Sequence, residues 1–215
     1  MARVGDSRQP AAPAVLSGVL DCPANPSPLL AMHPIPDWHP GTAFPEPLPA
    51  TCAGWLLAGG SLTRRLRALS GQQFSVQVHA EGWSLLRPDE CQALQLPASS
   101  RGWVREVFLC GHQQPWVFAR SSTAQPGLPG SGLDLRQQGS RPLGDWLFVD
   151  GQFSRSPLQL CHYPPELLPA APATGTAPLW GRRSCFSRQD FRLLVSEIFL
   201  PAFWLQAAGQ SPKPA

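Results

Sequence analysis

Lysine is almost absent from this 215-residue chain: Lys213, near the C-terminus, is the only one, so nearly all fixed positive charge is arginine. Seventeen basic residues against fourteen acidic ones leave a net charge of +3, and the arginines are scattered rather than gathered into a stripe. That excludes the footprint of a nucleic-acid-binding protein, which needs clustered cations facing a phosphate backbone. Charged residues make up only 14% of the chain, yet no apolar run approaches the roughly 20 residues that cross a bilayer. Between Met1 and Leu20, Asp6, Arg8, Gln9 and two prolines interrupt the apolar positions. The continuous apolar segment of a secretory signal is missing, so a cytoplasmic location without membrane insertion is expected.

Metal and disulfide signatures are missing too. Cys22, Cys52, Cys91, Cys110, Cys161 and Cys185 are widely spaced, form no CxxC pair and do not cluster with the five histidines. That argues against a zinc site, and a disulfide framework is not expected in a chain of this size without a signal. Cys110, in a strand-like run, reads as a small buried apolar residue. No heptad and no long apolar edge is evident, so a monomer is expected.

What the chain has in excess is proline. Eleven of the 26 prolines fall within residues 1–50, and a segment such as Pro34-Ile35-Pro36-Asp37-Trp38-His39-Pro40 cannot hold a regular helix or a central strand. Residues 1–48 therefore read as an extension, disordered or laid over the surface, with His33 and His39 facing solvent. From Thr51 the pattern becomes helical. Trp55, Leu62, Leu66 and Leu69 recur on one face of two short helices around the Gly59-Gly60 break, and Ser61 is a suitable N-cap for the second.

Alternation follows. Phe74, Val76 and Val78, then Trp83 and Leu85, share strand faces; Gly102–Gly111 and Pro115–Thr123 form a hairpin with His112 in the turn. A Gly/Pro/Ser-rich loop from Gln125 to Gly132 leads to a short helical stretch at Leu133–Gln138. Strands are expected at Phe153–Tyr163, Trp180–Arg188 and Phe191–Leu200, with an irregular excursion at Pro164–Pro178 and a polar tail at 206–215. Six strands with helices early in the chain indicate an α+β domain on a mostly antiparallel sheet.

Two charges break apolar rows. Arg105 stands among Trp103, Val107 and Leu109, and Glu197 among Leu193, Val195 and Phe199. A charge so placed is costly unless it is paired or meets a ligand. Either the two residues belong to internal ion pairs, or Arg105 holds a ligand carboxylate and Glu197 a polar group at the ligand's far end.

The same strands carry a resemblance to the chorismate lyase family. Trp103-Val104-Arg105-Glu106-Val107-Phe108-Leu109-Cys110, with Pro115-Trp116 and Ala119-Arg120-Ser121, resembles its central hairpin. Pro142-Leu143-Gly144 with Leu147-Phe148, Leu179-Trp180-Gly181-Arg182-Arg183-Ser184, and Ser196-Glu197-Ile198-Phe199-Leu200-Pro201 resemble its later blocks, and Ser61-Leu62-Thr63-Arg64-Arg65-Leu66 fits an opening helix. The likeness runs from about Cys52 to Trp204, in order and spacing. It implies a domain at 49–205, an antiparallel sheet backed by helices, and a ligand enclosed under two helical flaps.

It also implies roles. Arg105 takes the ring carboxylate of chorismate, backbone N–H groups at Leu62 and Leu143 assist, and Glu197 contacts the ring hydroxyl or acts as a general acid. Elimination of pyruvate aromatises the ring, so no redox cofactor or metal is needed. The product is 4-hydroxybenzoate, the ring precursor for ubiquinone. Arg120 and either Arg182 or Arg183 are candidates for the second carboxylate. Leu62 stands where the family often has methionine, and both the N-terminal extension and the Tyr163–Pro178 connection depart from the compact pattern. The alternatives are a non-catalytic effector-sensing domain of the same general fold, or a chorismate enzyme with another hydroxybenzoate product. Sensing domains of that kind carry a helix-turn-helix, which residues 1–50 are too proline-rich to form.

Overall fold

The structure is a computed structural model, and it describes Met1 and residues 34–128, 133–148, 151–169 and 178–208. All elements below lie in the unit His33–Ala215. The strands are β1 (His39–Pro40), β2 (Phe74–Leu85), β3 (Arg101–Gly111), β4 (Gln114–Thr123), the small pair β5 (Gly127–Leu128) and β6 (Leu133–Asp134), β7 (Ser154–Arg155), β8 (Gln159–Tyr163), β9 (Leu179–Arg188) and β10 (Phe191–Phe199). The helices are α1 (Ala50–Leu56), α2 (Leu62–Leu69), α3 (Pro88–Leu94), α4 (Gly144–Leu147) and α5 (Pro201–Ala207).

One antiparallel sheet runs β1-β8-β9-β10-β4-β3-β2, and β7 pairs with β9 beside β8. The expected α+β class and antiparallel sheet are both present. The β3–β4 hairpin turns at His112 and Gln113, both with positive φ (51° and 64°), as a tight two-residue turn between right-twisted strands requires. The sheet is broader than the six strands expected. Phe153–Tyr163 is not one strand: Pro157 interrupts it, leaving β7 and β8. Phe74–Leu85 is one strand, with a register shift between Val78 and Ala80.

Alternation gives the sheet two chemically distinct faces, both covered. On one face α1, α2 and α5 pack through Trp55, Leu56, Leu62, Leu66 and Phe203 onto Val107, Leu109, Val117 and Phe199. Each such buried side chain contributes about 1.5–3 kcal/mol. The Ser61 side chain accepts from the Arg64 N–H at 3.3 Å and caps α2 as expected. On the other face α3 and the segment from residue 34 cover Phe118, Cys161, Tyr163, Val104 and Leu194.

That segment starts the folded part ahead of residue 49. Pro36 is buried, the Trp38 indole N–H donates to Asp89 at 3.0 Å, and His39–Pro40 pairs with Leu160 and Gln159. His39 lies 3.1 Å from Asp37, so it faces a carboxylate. Residues 2–33, with His33, and 209–215 lie outside the described residues, as do parts of the 125–132 and 164–178 loops. Helix α5 also extends two residues into the stretch expected to be tail.

Candidate active site

The four residues singled out for binding converge on one cleft. Leu62, Arg105, Leu143 and Glu197 all line it, with Val107, Ser121, Phe148, Arg155, Ser184, Phe186 and Val195. The cleft holds about 560 Å³ of space including its open mouth.

The register explains the convergence. Arg105 faces Ser121 across β3–β4, Ser121 faces Val195 on β10, and Val195 faces Ser184 on β9. One row along, Val107, Ala119, Glu197 and Arg182 form a second line on the same face. Arg105 and Glu197 are therefore two strands and one row apart, about 12 Å between Cα atoms at about 4.8 Å per strand and about 3.3 Å per residue. They do not pair with each other. The floor between them is small or aliphatic.

Arg105 is 2% exposed. Its Nη2 donates to the carbonyl oxygens of Gly139 at 2.6 Å and Arg141 at 3.4 Å. Gly139 turns with φ +51°, the left-handed region that glycine adopts without strain, and so presents its carbonyl to the guanidinium. The cross-strand neighbour Glu81 comes to 3.6 Å of Nε, a charge contact without a hydrogen bond, and Nε has no hydrogen-bond partner among the described residues. Burial pushes this guanidinium below its ordinary value and Glu81 opposes the shift. An arginine still keeps its charge. Nε is turned to the Glu81 carboxylate and Nη2 to the loop carbonyls, so Nη1, without a hydrogen bond among the described residues, is the nitrogen left to meet a ligand carboxylate.

Glu197 has one oxygen fixed by the Nε of Arg182 at 2.6 Å. Arg182 is wholly buried and also donates to the carbonyls of Trp55 at 2.7 Å and Ala58 at 3.1 Å, tying the end of α1 to the sheet. Glu197 is thus an oriented hydrogen-bond acceptor at the cleft wall. Leu62 and Leu143 each stand at a helix start, where backbone N–H groups have no intrahelical partner. The two starts touch: a Cβ on Gly144 would lie 2.7 Å from the Thr63 hydroxyl and 2.9 Å from that of Ser61.

Three arginines considered for a second anion are committed elsewhere. Arg120 and Arg183 lie on the opposite face of the sheet. Arg120 binds Glu90 (2.8 and 2.9 Å) and Glu106 (2.7 Å), while Arg183 binds Asp89 (2.9 Å) and Gln159 (2.8 Å). Arg182 stands behind Glu197. Arg155, which sequence reasoning passed over, lines the cleft. It sits on a two-residue strand in a Ser/Pro-rich run, where no alternation exists for a charge to break. Ser121 and Ser184 were missed because a hydroxyl does not stand out in a mixed strand.

Five cysteines, Cys52, Cys91, Cys110, Cys161 and Cys185, are free, and burial raises Cys110 to about 11, so it is no ready nucleophile. Among the described residues no three His, Cys, Asp or Glu side chains converge as metal ligands.

The chorismate lyase family model matches residues 37–209. Curated relatives include two proteins named "Probable chorismate pyruvate-lyase". One, from Pseudomonas aeruginosa, is 54% identical over 157 residues, covering 73% of this chain and 87% of the relative. Another, from Pseudomonas putida, is 52% identical over 173 residues, covering 80% and 92%. Solved structures with partial likeness include the effector domain of PhnF from Mycobacterium smegmatis (14% identity, TM-score 0.45, 68% of this chain and 91% of that one). The C-terminal domain of the histidine utilization repressor from Pseudomonas syringae pv. tomato is similar over 66% and 97% (8% identity, TM-score 0.41).

Proposed function

The chain belongs to the chorismate lyase family, and from that premise we propose that it eliminates pyruvate from chorismate and leaves 4-hydroxybenzoate. The observation that supports this reading is the pair of opposite charges on one cleft face: Arg105, whose Nη1 makes no hydrogen bond among the described residues, and Glu197 held as an acceptor by Arg182. A ring with a carboxylate at one end and a hydroxyl at the other fits that pair. Arg105 meets the ring carboxylate, Glu197 accepts from the hydroxyl, and the N–H groups at Leu62 and Leu143 close over the carboxylate end.

The reaction breaks the bond from the ring to the ether oxygen and removes the hydrogen on the neighbouring, hydroxyl-bearing carbon. The electron pair of the broken ring–oxygen bond goes to that oxygen, which becomes the keto oxygen of pyruvate. A proton is gained by the enolpyruvyl methylene, which becomes the methyl group. The ring becomes aromatic, so the chemistry is strongly downhill. The protein's work is to orient the dianion, exclude water and offset charge on the departing oxygen. In this reading Glu197 polarises the hydroxyl as an acceptor.

We place the protein in the cytoplasm as a monomer supplying the ring precursor of ubiquinone. No described helix is long and apolar enough to cross a membrane. Sedimentation equilibrium should return one chain, 23.3 kDa.

The test is direct. Purified folded protein is mixed with chorismate; pyruvate is followed by coupled reduction to lactate, and the aromatic product is identified by mass and retention time. Pyruvate and 4-hydroxybenzoate in equal amounts are expected. A folded protein that binds chorismate without releasing pyruvate would be a sensing domain, and a different hydroxybenzoate would correct the product.

A further inference from the structure

The cleft carries two cations, and only one is accounted for by a ring carboxylate. Glu197 is the anion on its wall, and that charge is already met by Arg182 at 2.6 Å. Arg155 remains. Its Nε donates to the Ser184 hydroxyl at 2.7 Å and its Nη1 to the Gly59 carbonyl. It packs 5.4 and 5.2 Å from the centroids of the Phe148 and Phe186 rings, which themselves meet edge to face. No carboxylate pairs with it among the described residues, although it is half-buried. Burial and the neighbouring charge of Arg182 push it below its ordinary value, and Glu197 opposes them. Its partner Gly59 follows Ala58, whose carbonyl accepts from Arg182 at 3.1 Å.

The register puts the two cations on opposite flanks of the site. Arg105 is on β3; Arg155 pairs with Phe186 on the far side of β9, with β4 and β10 between. Four strand spacings of about 4.8 Å, with a two-residue offset along the strands, separate their Cα atoms by about 20 Å, and both long side chains line the same cleft. A single carboxylate cannot occupy both. The adjoining rings lower the polarity on one side of Arg155 and strengthen an ion pair formed there.

We propose that Arg155 is the binding residue for a second carboxylate, that of the enolpyruvyl group which departs, so that the cleft recognises a dicarboxylate by a cation at each flank. This rests on the lyase reading above. The ether stands next to the hydroxyl on the ring, and Arg155 reaches toward the Glu197–Arg182 pair: it donates to Gly59, the neighbour of the Ala58 whose carbonyl accepts from Arg182. The same guanidinium then faces the oxygen on which negative charge collects as the ring–oxygen bond breaks. Its fixed bonds to Gly59 and Ser184 pre-orient it, so little reorganisation is needed.

The experiment compares ligands with one and two carboxylates in the full-length protein. Calorimetric titrations use 4-hydroxybenzoate and the non-reacting aromatic dicarboxylate 3-[(1-carboxyvinyl)oxy]benzoate on wild type, Arg155→Gln, Arg155→Lys and Arg105→Gln. Losing one charge-assisted contact should weaken the dicarboxylate about 10- to 150-fold in Arg155→Gln while 4-hydroxybenzoate stays within about 2-fold. Arg155→Lys should recover part of the loss, and Arg105→Gln should weaken both ligands. Equal weakening of both ligands by Arg155→Gln, or of neither, overturns the proposal. Equal weakening is what a purely structural role through Gly59 would give. If the Gln variant does not fold, Arg155→Lys is judged by the same selectivity. Because these titrations need no turnover, a wild type that binds the dicarboxylate through Arg155 yet releases no pyruvate rejects the lyase reading alone. A wild type that turns over chorismate with unselective Arg155 variants rejects this inference alone.

Discussion

Glu197 and Arg105 differ in how much of each side chain is already occupied, and their variants should differ accordingly. Arg105 spends Nη2 on loop carbonyls and turns Nε to Glu81, leaving Nη1 without a hydrogen bond among the described residues. Arg105→Ala removes a ring-carboxylate contact that binds the substrate and also orients it for the transition state, so KM should rise and kcat fall together, with kcat/KM down about 10²-fold or more. Glu197→Gln keeps the shape but loses the charge beside Arg182, and should cut kcat about 10- to 100-fold with KM little changed. Steady-state kinetics on both variants check this; an Arg105→Ala enzyme with unaltered constants removes Arg105 from the site. Both residues were legible in the sequence because they lie on strands long enough for alternation to expose a misplaced charge. Their partners were not. Arg182 reaches Glu197 only because β9 and β10 pair with Glu197 opposite Arg182, a register that no local pattern states. Arg155 on its two-residue strand gave alternation nothing to work on.

At the level of elements, the site is closed by helix starts whose approach depends on a missing side chain. Gly144 brings the beginning of α4 against Ser61 and Thr63, and Arg67 on α2 holds Asp145 on α4 at 2.7 and 2.8 Å. That ion pair is exposed and contributes little, so packing sets the spacing. Gly144→Ala should push the two starts apart, weakening 4-hydroxybenzoate binding about 10-fold with a change in stability of about 1–3 kcal/mol, read by calorimetry and thermal melting. The segment 34–48 makes a second case. Deleting residues 1–33 should leave melting temperature and kinetics unchanged, since the family match begins at 37 and the observed ties begin at Pro36. Deleting 1–48 removes β1 and the Trp38–Asp89 bond and should lower the melting temperature by several degrees. Proline content hid this segment, because a two-residue edge strand tolerates the residues that exclude a central one. Helices α3 and α5 were hidden by length: each has seven residues, too few for periodicity, although Pro88 and Pro201 stand in their first turns as helix starts allow.

Across the whole molecule, one sheet separates two polar systems: a cleft on one face, and on the other an ion network that holds α3 down. Glu90 is fully buried and accepts from Arg120 at 2.8 and 2.9 Å, from Ser122 at 3.2 Å and from the Arg87 N–H at 3.0 Å. Burial alone would raise its carboxyl; the hydrogen bonds and charge of Arg120, with Arg87, outweigh that and bring it from an ordinary 4.5 to about 2. Because the folded value lies below the unfolded one, the unfolded chain takes up the proton first as pH falls. The stabilisation is complete above about 4.5, declines between there and about 2, and is gone below. A shift of that size is worth on the order of 3 kcal/mol. Thermal melts followed by circular dichroism should therefore fall steeply in that window. Glu90→Gln should lower stability at neutral pH by about 3–5 kcal/mol, since Arg120 and Arg87 stay buried without their carboxylate, and should flatten the acid limb. A variant whose acid limb matches wild type would mean that other carboxylates govern acid unfolding. Because the network lies across the sheet from Arg105 and Glu197, any loss of activity in Glu90→Gln should track the unfolded fraction, with the KM of the folded remainder unchanged.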